Sequence, residues 1–236
     1  MSELAIEPGY WGVVPAAGLG QRMGGEIPKQ YLELAGQSVI SHTLQRMLGW
    51  EFLQGLVVAL HRDDRWWSQQ SVAADARVET VLGGEQRSHS VFAALQALRE
   101  RAAPQDWVLV HDAARPCIRR DDVESLRKGL AQDAVGGLLA LPVAETVKRA
   151  DTDGRVEVTL DRQGLWLAQT PQMFRYGQLY NCLQSALDKG EEVTDEAAAM
   201  ELAGLRPRLI AGAASNIKIT LAADLATAEV WLARGE

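Results

Sequence analysis

The stretch from Val13 to Tyr31 reads VVPAAGLGQRMGGEIPKQY, and the fold follows from how it is read. It starts as an apolar run, breaks at Pro15, Ala16 and Ala17, and passes through glycines at Gly18, Gly20, Gly24 and Gly25, carrying Arg22 and Lys29. An apolar run without alternation predicts a strand buried on both faces, as in parallel sheets covered by helices. Glycines after such a strand let the backbone adopt positive φ and approach a ligand closely, so that consecutive N–H groups converge on phosphate oxygens. The two cations then neutralise charge that amides alone leave exposed. The pattern is that of a polyphosphate site.

Two common phosphate loops do not match. A dinucleotide fingerprint begun at Gly18 needs glycine where Met23 stands, and a Walker A loop begun at Gly20 has Glu26 in place of its lysine. What remains is looser: a strand, small residues, a Gly-rich turn, Arg22, and Lys29 after Pro28. Such a turn can also be a turn and nothing more, because glycine punctuates loops everywhere. Arg22 and Lys29 weigh against that.

Composition bounds the rest. A chain of 236 residues with 47% hydrophobic content can bury one substantial core, and the length fits one α/β domain with an appendage. No apolar run approaches the roughly 18 residues of a membrane span. MSELAIEPGYW carries acids and lacks the basic and apolar regions of a signal peptide, so the expectation is a cytoplasmic protein without a membrane partner. Cys117 and Cys182 fit a reducing compartment, and neither sits in a metal-ligand spacing. A net charge of −7 argues against nucleic acid as a partner. An anionic ligand must therefore be met by a local cluster of cations.

Beyond the first strand, Ser38 can cap a helix in which Ile40, Leu44, Met47 and Leu48 recur on one face. Strands are expected at Leu56 to Leu60 and Val78 to Leu82, the latter closing at Gly83 and Gly84. The turn GGEQRSHS, Gly83 to Ser90, leads into a helix carrying Val91, Leu95 and Leu98, and a helix N-terminus offers free N–H groups to a nucleotide. Arg87 and Ser90 are the side chains to watch there, although Ser88 or Ser90 can equally be only a cap. Trp107 to His111 is a short strand ending in Asp112. A carboxylate at the carboxyl end of a parallel strand lies where open α/β sheets bind ligands, which suits Asp112 to Mg²⁺. Capping the next turn is the plainer role.

A helix over Asp121 to Gln132 and a strand over Leu138 to Val143 follow. Thr146 to Ala150 and Arg155 to Leu160 then alternate around Asp151-Thr152-Asp153-Gly154, a hairpin signal. Two isolated strands are marginal alone, so this arm is expected to pack on a second copy of the chain. Thr170-Pro171-Gln172 reads as a turn, a helix begins near Tyr176, and Thr194 opens another with Asp195 and Glu196 as acids at its positive end, more in keeping with capping than catalysis. Leu209 to Gly212 is a strand and Ala222 to Arg234 a closing helix.

GLGQRMG followed by PKQYL resembles the nucleotidyltransferase loop of the cytidylyltransferases that act on methylerythritol phosphate in the non-mevalonate route to isoprenoids. VLVHDAARP at 108 to 116, DRQGLWLAQTPQMF at 161 to 174, TDEA at 194 to 197 and NIKIT at 216 to 220 are similar to that family's motifs and follow in its order over nearly the whole chain. The resemblance implies an α/β fold: a single Rossmann-like nucleotidyltransferase domain over 1–236 with a mostly parallel sheet and a protruding β-hairpin dimerisation arm at about 143–168. It implies a homodimer with shared active sites, CTP as co-substrate, Mg²⁺ as cofactor and a polyol phosphate as acceptor.

The resemblance also assigns residues. Pro15, Ala16, Ala17, Gly18 and Gly20 would lie along the nucleotide, with its cytosine end at Gly84 and Ser90. Arg22 and Lys29 would act on the α-phosphate and the leaving pyrophosphate, and Asp112 would hold Mg²⁺. Lys218 and, from the partner's arm, Arg162 would orient the attacking phosphate. Thr146 would also come from that arm, and Arg115, Thr170 and Thr194 would complete the pocket. Ser215, near Lys218, departs from relatives that carry an acid there. Should that acid bind metal, Asp112 must manage with water and phosphate oxygens. A cytidylyltransferase for a pentitol phosphate such as ribitol 5-phosphate shares the nucleotide half, so the acceptor stays open on motifs alone. A nucleotide-binding regulatory protein without turnover is the remaining alternative.

Overall fold

The computed structural model describes residues 7–18 and 27–235. In chain order the elements are β1 (Tyr10–Ala16), β2 (Glu33–Leu34), β3 (Gln37–Ser38), α1 (Val39–Leu48), β4 (Gly55–Leu60), β5 (Val78–Leu82), α2 (Arg87–Ala97), β6 (Trp107–Val110) and α3 (Arg120–Leu130). They continue with β7 (Gly136–Pro142), β8 (Val147–Ala150), β9 (Val156–Leu160), β10 (Trp166–Arg175), α4 (Tyr176–Asp188), α5 (Glu196–Leu202), β11 (Arg208–Ala211) and α6 (Ala222–Ala233).

Seven strands form one sheet in the order β11-β7-β10-β6-β1-β4-β5. β1 pairs in parallel with both β4 and β6, β4 with β5, and β7 with β11, whereas β10 runs antiparallel to β6 and β7. From β1 the chain builds outward through β4 to β5 and then returns to lay β6 on the other side of β1. The order therefore reverses beside β1, which opens a crevice at the strands' carboxyl ends.

Both faces of the sheet are covered, and this explains the unbroken apolar strands. Successive side chains of a strand point to opposite faces. Val13, Val108 and Val110 accordingly join Val91, Leu95, Leu179, Leu183 and Met200 of α2, α4 and α5 in one cluster. Val14, Trp107 and Leu109 join Ile40, Leu44 and Met47 of α1 with Val123 and Leu126 of α3 in another. Ser38 caps α1, its hydroxyl accepting from the Ser41 N–H at 3.2 Å. A third, smaller cluster places α6 through Ala228 against Leu34, Val39, Cys117 and Ile219.

Two expectations are corrected. Thr170-Pro171-Gln172 is not a turn, because β10 continues through it with a register shift between Ala168 and Gln172. Proline lacks a ladder donor and is accommodated at such an irregularity. The segment Gly83 to Ser90 is also shorter as a turn than expected, since α2 starts at Arg87 and Ser90 lies in its first turn; the N-cap position belongs to Gln86, without a side-chain cap.

Among the described residues β8 and β9 pair only with each other, around the turn in which the Asp151 carboxylate accepts from the N–H groups of Asp153 and Arg155. This hairpin and the start of β10 leave Val156 63% and Leu167 59% exposed, with Val158, Leu165 and Trp166 also open to solvent. Among the described residues no helix is long and apolar enough to cross a membrane.

Candidate active site

A cavity of about 810 Å³ opens at the carboxyl ends of β1, β4, β5 and β6. Its wall includes Pro15, Ala16, Ala17 and Gly18 at the exit of β1, Gly84 and Ser90 at the start of α2, and Lys29, Asp112 and Lys218. Gly20 and Arg22 lie outside the described residues. Eight of the residues expected at the site thus meet across long sequence separations, and Pro15 makes a ninth.

Local contacts set the cradle. The Gln30 amide donates to the carbonyls of Ala16 at 2.9 Å and Gly18 at 3.0 Å, fixing the backbone where β1 ends. A Cβ on Gly83 would sit 2.5 Å from the Ala17 Cβ and 2.9 Å from the Ser90 Oγ, so only glycine lets the exits of β5 and β1 close together. The Ser90 hydroxyl accepts from the Gly84 N–H at 3.2 Å and holds that turn against α2. Gln86, the N-cap, and Arg87, the first residue of α2, line the cavity, so the positive end of the helix is presented to it. The Lys29 ammonium donates to the Ile219 carbonyl at 3.2 Å, tying the segment after the glycine loop to the one that carries Lys218.

Asp112 is the electrostatic centre. Its Oδ1 accepts from Arg87 Nε at 3.0 Å, and its Oδ2 meets Lys218 Nζ at 2.9 Å and Arg115 Nε at 3.4 Å. Burial alone pushes this carboxyl up, but Arg87, Lys218 and Arg115 together outweigh burial and hold it well below the usual carboxylate range. Arg87 extends the network by a bidentate pair with Glu196, at 2.7 and 3.1 Å. Burial raises the Glu196 carboxyl above its ordinary value, against the pull of Arg87.

Behind Asp112 a fully buried histidine braces the backbone. The Thr170 hydroxyl accepts from the Asp112 N–H at 3.0 Å and lies 2.9 Å from His111 Nδ1. A carbonyl only accepts, so the neutral His111 ring carries its proton on Nε2 and donates it to the Arg115 carbonyl at 3.1 Å, which leaves Nδ1 to accept the Thr170 hydroxyl proton. Burial lowers this imidazole to about 4.

Other expected residues stand off the cavity. The described part of its wall does not include Arg115, Thr146, Arg162, Thr170 or Thr194. Arg115 is buried behind Asp112 and donates to the Asn216 carbonyl at 2.7 Å. Thr170 is turned toward His111, not toward the cavity. Thr146 and Arg162 are exposed together at the open end of the hairpin, before β8 and after β9, the Arg162 guanidinium donating to the Ala144 carbonyl, and Thr194 is exposed just before α5. The cap of that helix is Asp195, whose carboxylate accepts from the Ala198 N–H at 2.9 Å. Glu196 is instead the partner of Arg87. The sequence marked Arg87 without a role and read Glu196 as capping, because nothing local links positions 109 apart.

A metal has little protein cage to enter. Among the described residues no three His, Cys, Asp or Glu side chains come together, and Ser215 supplies no carboxylate. Mg²⁺ is commonly held through one or two carboxylates plus phosphate oxygens and water, and Asp112 would supply a single carboxylate to such a donor set.

A model of the 2-C-methyl-D-erythritol 4-phosphate cytidylyltransferase family matches residues 11–234. The chain belongs to this family. A cytidylyltransferase of that name from Pseudomonas aeruginosa is 52% identical over 219 residues, covering 92% of this chain and 94% of its own. One from Hahella chejuensis is 48% identical over 224 residues, covering 95% and 93%. Among solved structures, a 4-diphosphocytidyl-2C-methyl-D-erythritol synthase superposes with a TM-score of 0.84 at 35% identity, over 96% of this chain and all of that one. The Francisella tularensis 2-C-methyl-D-erythritol 4-phosphate cytidylyltransferase gives 0.83 at 35%, over 94% and 99%. The α/β fold with its mostly parallel sheet is thus shared with cytidylyltransferases of this family.

The state of His111 predicts how this cytidylyltransferase responds to acid. A folded value near 4 against an ordinary 6.5 means that the fold prefers the neutral ring, so its contribution is full above about pH 6.5 and is lost as pH falls toward 4. The shift corresponds to about 3 kcal/mol. Denaturant unfolding between pH 7 and 4 should show His111→Gln, which does not titrate, with a flatter decline than the wild type. Equal slopes would contradict the assignment.

Proposed function

We propose that the chain transfers the cytidylyl group of CTP to 2-C-methyl-D-erythritol 4-phosphate, giving 4-diphosphocytidyl-2-C-methyl-D-erythritol and pyrophosphate. The observation that carries this reading is the family match across residues 11–234. A cavity that combines the Ala16-Ala17-Gly18 exit, Lys29, Ser90, Asp112 and Lys218 supports it.

In this reaction an oxygen of the acceptor's phosphate bonds to the α-phosphorus of CTP. The bond from that phosphorus to the bridging oxygen breaks, and pyrophosphate leaves with the electron pair. A phosphate nucleophile needs no base. The obstacle is the crowding of negative charge, so catalysis is mainly positioning and electrostatic stabilisation. Lys29 and Arg22 act on the α-phosphate and the leaving pyrophosphate, while the backbone from Pro15 to Gly20 follows the nucleotide and Gly84 with Ser90 takes its cytosine end. Lys218 orients the attacking phosphate, with Arg115, Thr170 and Thr194 shaping the acceptor side; for Arg115 and Thr170 this is an action through Asp112, which both hold. Asp112 would hold Mg²⁺, which when bound neutralises charge on the phosphate oxygens.

The reading extends to the assembly. Residues 1–236 act as one nucleotidyltransferase domain, and the arm at about 143–168 embraces a second copy, forming a homodimer in the cytoplasm. Exposed apolar residues on the arm, including Val156, Leu165 and Leu167, support such a covering surface. Arg162 and Thr146 stand away from this chain's own cavity and would serve the partner's.

Release of pyrophosphate should follow when CTP and Mg²⁺ are supplied with 2-C-methyl-D-erythritol 4-phosphate, and not with ribitol 5-phosphate; the reverse preference would assign a pentitol phosphate instead. Lys29→Ala and Arg22→Ala should each lower kcat by on the order of 10² or more with thermal unfolding unchanged, the usual worth of a group that stabilises transition-state charge. Turnover close to wild type in either would remove that residue from the mechanism. Mixing inactive Arg162→Ala with inactive Lys29→Ala subunits should restore part of the activity, because some mixed dimers hold one site free of both lesions. Absence of rescue in mixtures shown by mass spectrometry to exchange subunits would rule out a shared site.

A further inference from the structure

We propose that Glu196 is a positioning residue for the transfer: by gripping both terminal nitrogens of Arg87 it keeps that guanidinium on Asp112 and away from the incoming phosphates. The inference rests on the reaction proposed above and concerns the same cavity.

Three elements far apart in sequence meet at this contact. Arg87 is the first residue of α2, Asp112 lies just beyond β6, and Glu196 is the first residue of α5. Arg87 lines the cavity beside Asp112 and Lys218. Its Nη1 and Nη2 go to the two oxygens of Glu196 at 2.7 and 3.1 Å, and its Nε goes to Asp112 at 3.0 Å. All three nitrogens of the fork therefore face carboxylates, in the planar bidentate geometry that arginine alone provides. Glu196 is only 1% exposed, and Arg87 is the one cation paired with it among the described residues.

Without Glu196 the arrangement changes in a definite direction. Arg87, Arg115 and Lys218 together with Asp112 and Glu196 carry one net positive charge. Loss of the Glu196 charge raises this to two and frees the outer nitrogens of Arg87 at the cavity wall. A freed guanidinium is a phosphate ligand, and it would bind CTP in the ground state as readily as in the transition state. Binding of that uniform kind lowers KM without raising kcat. Arg87 leaving Asp112 would also let the carboxylate turn toward Lys218 and Arg115, so Lys218 would lose the position from which it meets the acceptor.

The test is a double-mutant cycle in the full-length enzyme with Glu196→Gln, Arg87→Met and the double variant, assayed by pyrophosphate release while CTP and the acceptor are varied separately. Wild type is run in parallel, so a wild-type enzyme that fails to turn over the acceptor refutes the proposed reaction, not this inference. Glu196→Gln should lower kcat by about tenfold or more and raise KM for the acceptor while KM for CTP stays level or falls. A purely structural role would reduce the active fraction and leave both KM values alone, which would overturn the proposal. In the Arg87→Met background the same Glu196→Gln change should add almost nothing; an equal loss in both backgrounds would show that Glu196 does not act through Arg87. If Glu196→Gln does not fold, Arg87→Lys tests the same geometry, since a lysine keeps the charge but cannot span both carboxylates. Its expected result is the same split of kcat and KM, and wild-type kinetics from a folded Arg87→Lys protein would overturn the proposal.

Discussion

Parallel pairing of β1 with β4 on one side and β6 on the other is the constraint from which the rest of the structure follows. It requires helical crossovers on both faces, which is why Val13 and Val14 are both buried although they point to opposite clusters. It also brings the exits of β1, β4 and β6 to one edge. The backbone beyond Ala16, the segment beyond Leu60 and the carboxylate of Asp112 therefore converge without any direct sequence relation between them.

At that edge, charge is organised against the character of the whole molecule. The chain carries −7 overall, yet Lys29, Arg87, Arg115 and Lys218 gather around one cavity and its floor. Asp112 makes this possible. A carboxylate buried to 7% exposure is tolerated because three cations surround it, and those cations would repel one another in its absence. Behind it, Thr170 and His111 fix the backbone with a single proton arrangement, so that Asp112 faces the cavity and not the core. Rigid support of this kind turns flexible cations into a preorganised field.

Some of this could be read from residues alone. Unbroken apolar runs identified the buried strands, the 3.6-residue recurrence of Ile40, Leu44 and Met47 identified α1, and Asp151 to Gly154 identified the hairpin turn. These signals are local, and helix caps and turns depend on neighbours in the chain. Pro171 misled for the same reason: proline commonly ends a strand, but the register shift between Ala168 and Gln172 accommodates it, and a register shift is a property of two strands. The reach of α2 back to Arg87 was likewise hidden, because glycine and serine in GGEQRSHS favour both a loop and a first helical turn.

The sequence by itself determined the family, the α/β class and the residue types available at the site, because ordered motifs and hydrophobic periodicity are written along the chain. Only the tertiary structure decided what those residues touch. It turned Thr170 inward to His111, set Arg115 behind Asp112 instead of on the cavity wall, and joined Glu196 to Arg87 across 109 positions. The reason is physical: an ion pair acts over a few ångströms in space, and no local pattern records which distant side chains folding will bring within that distance.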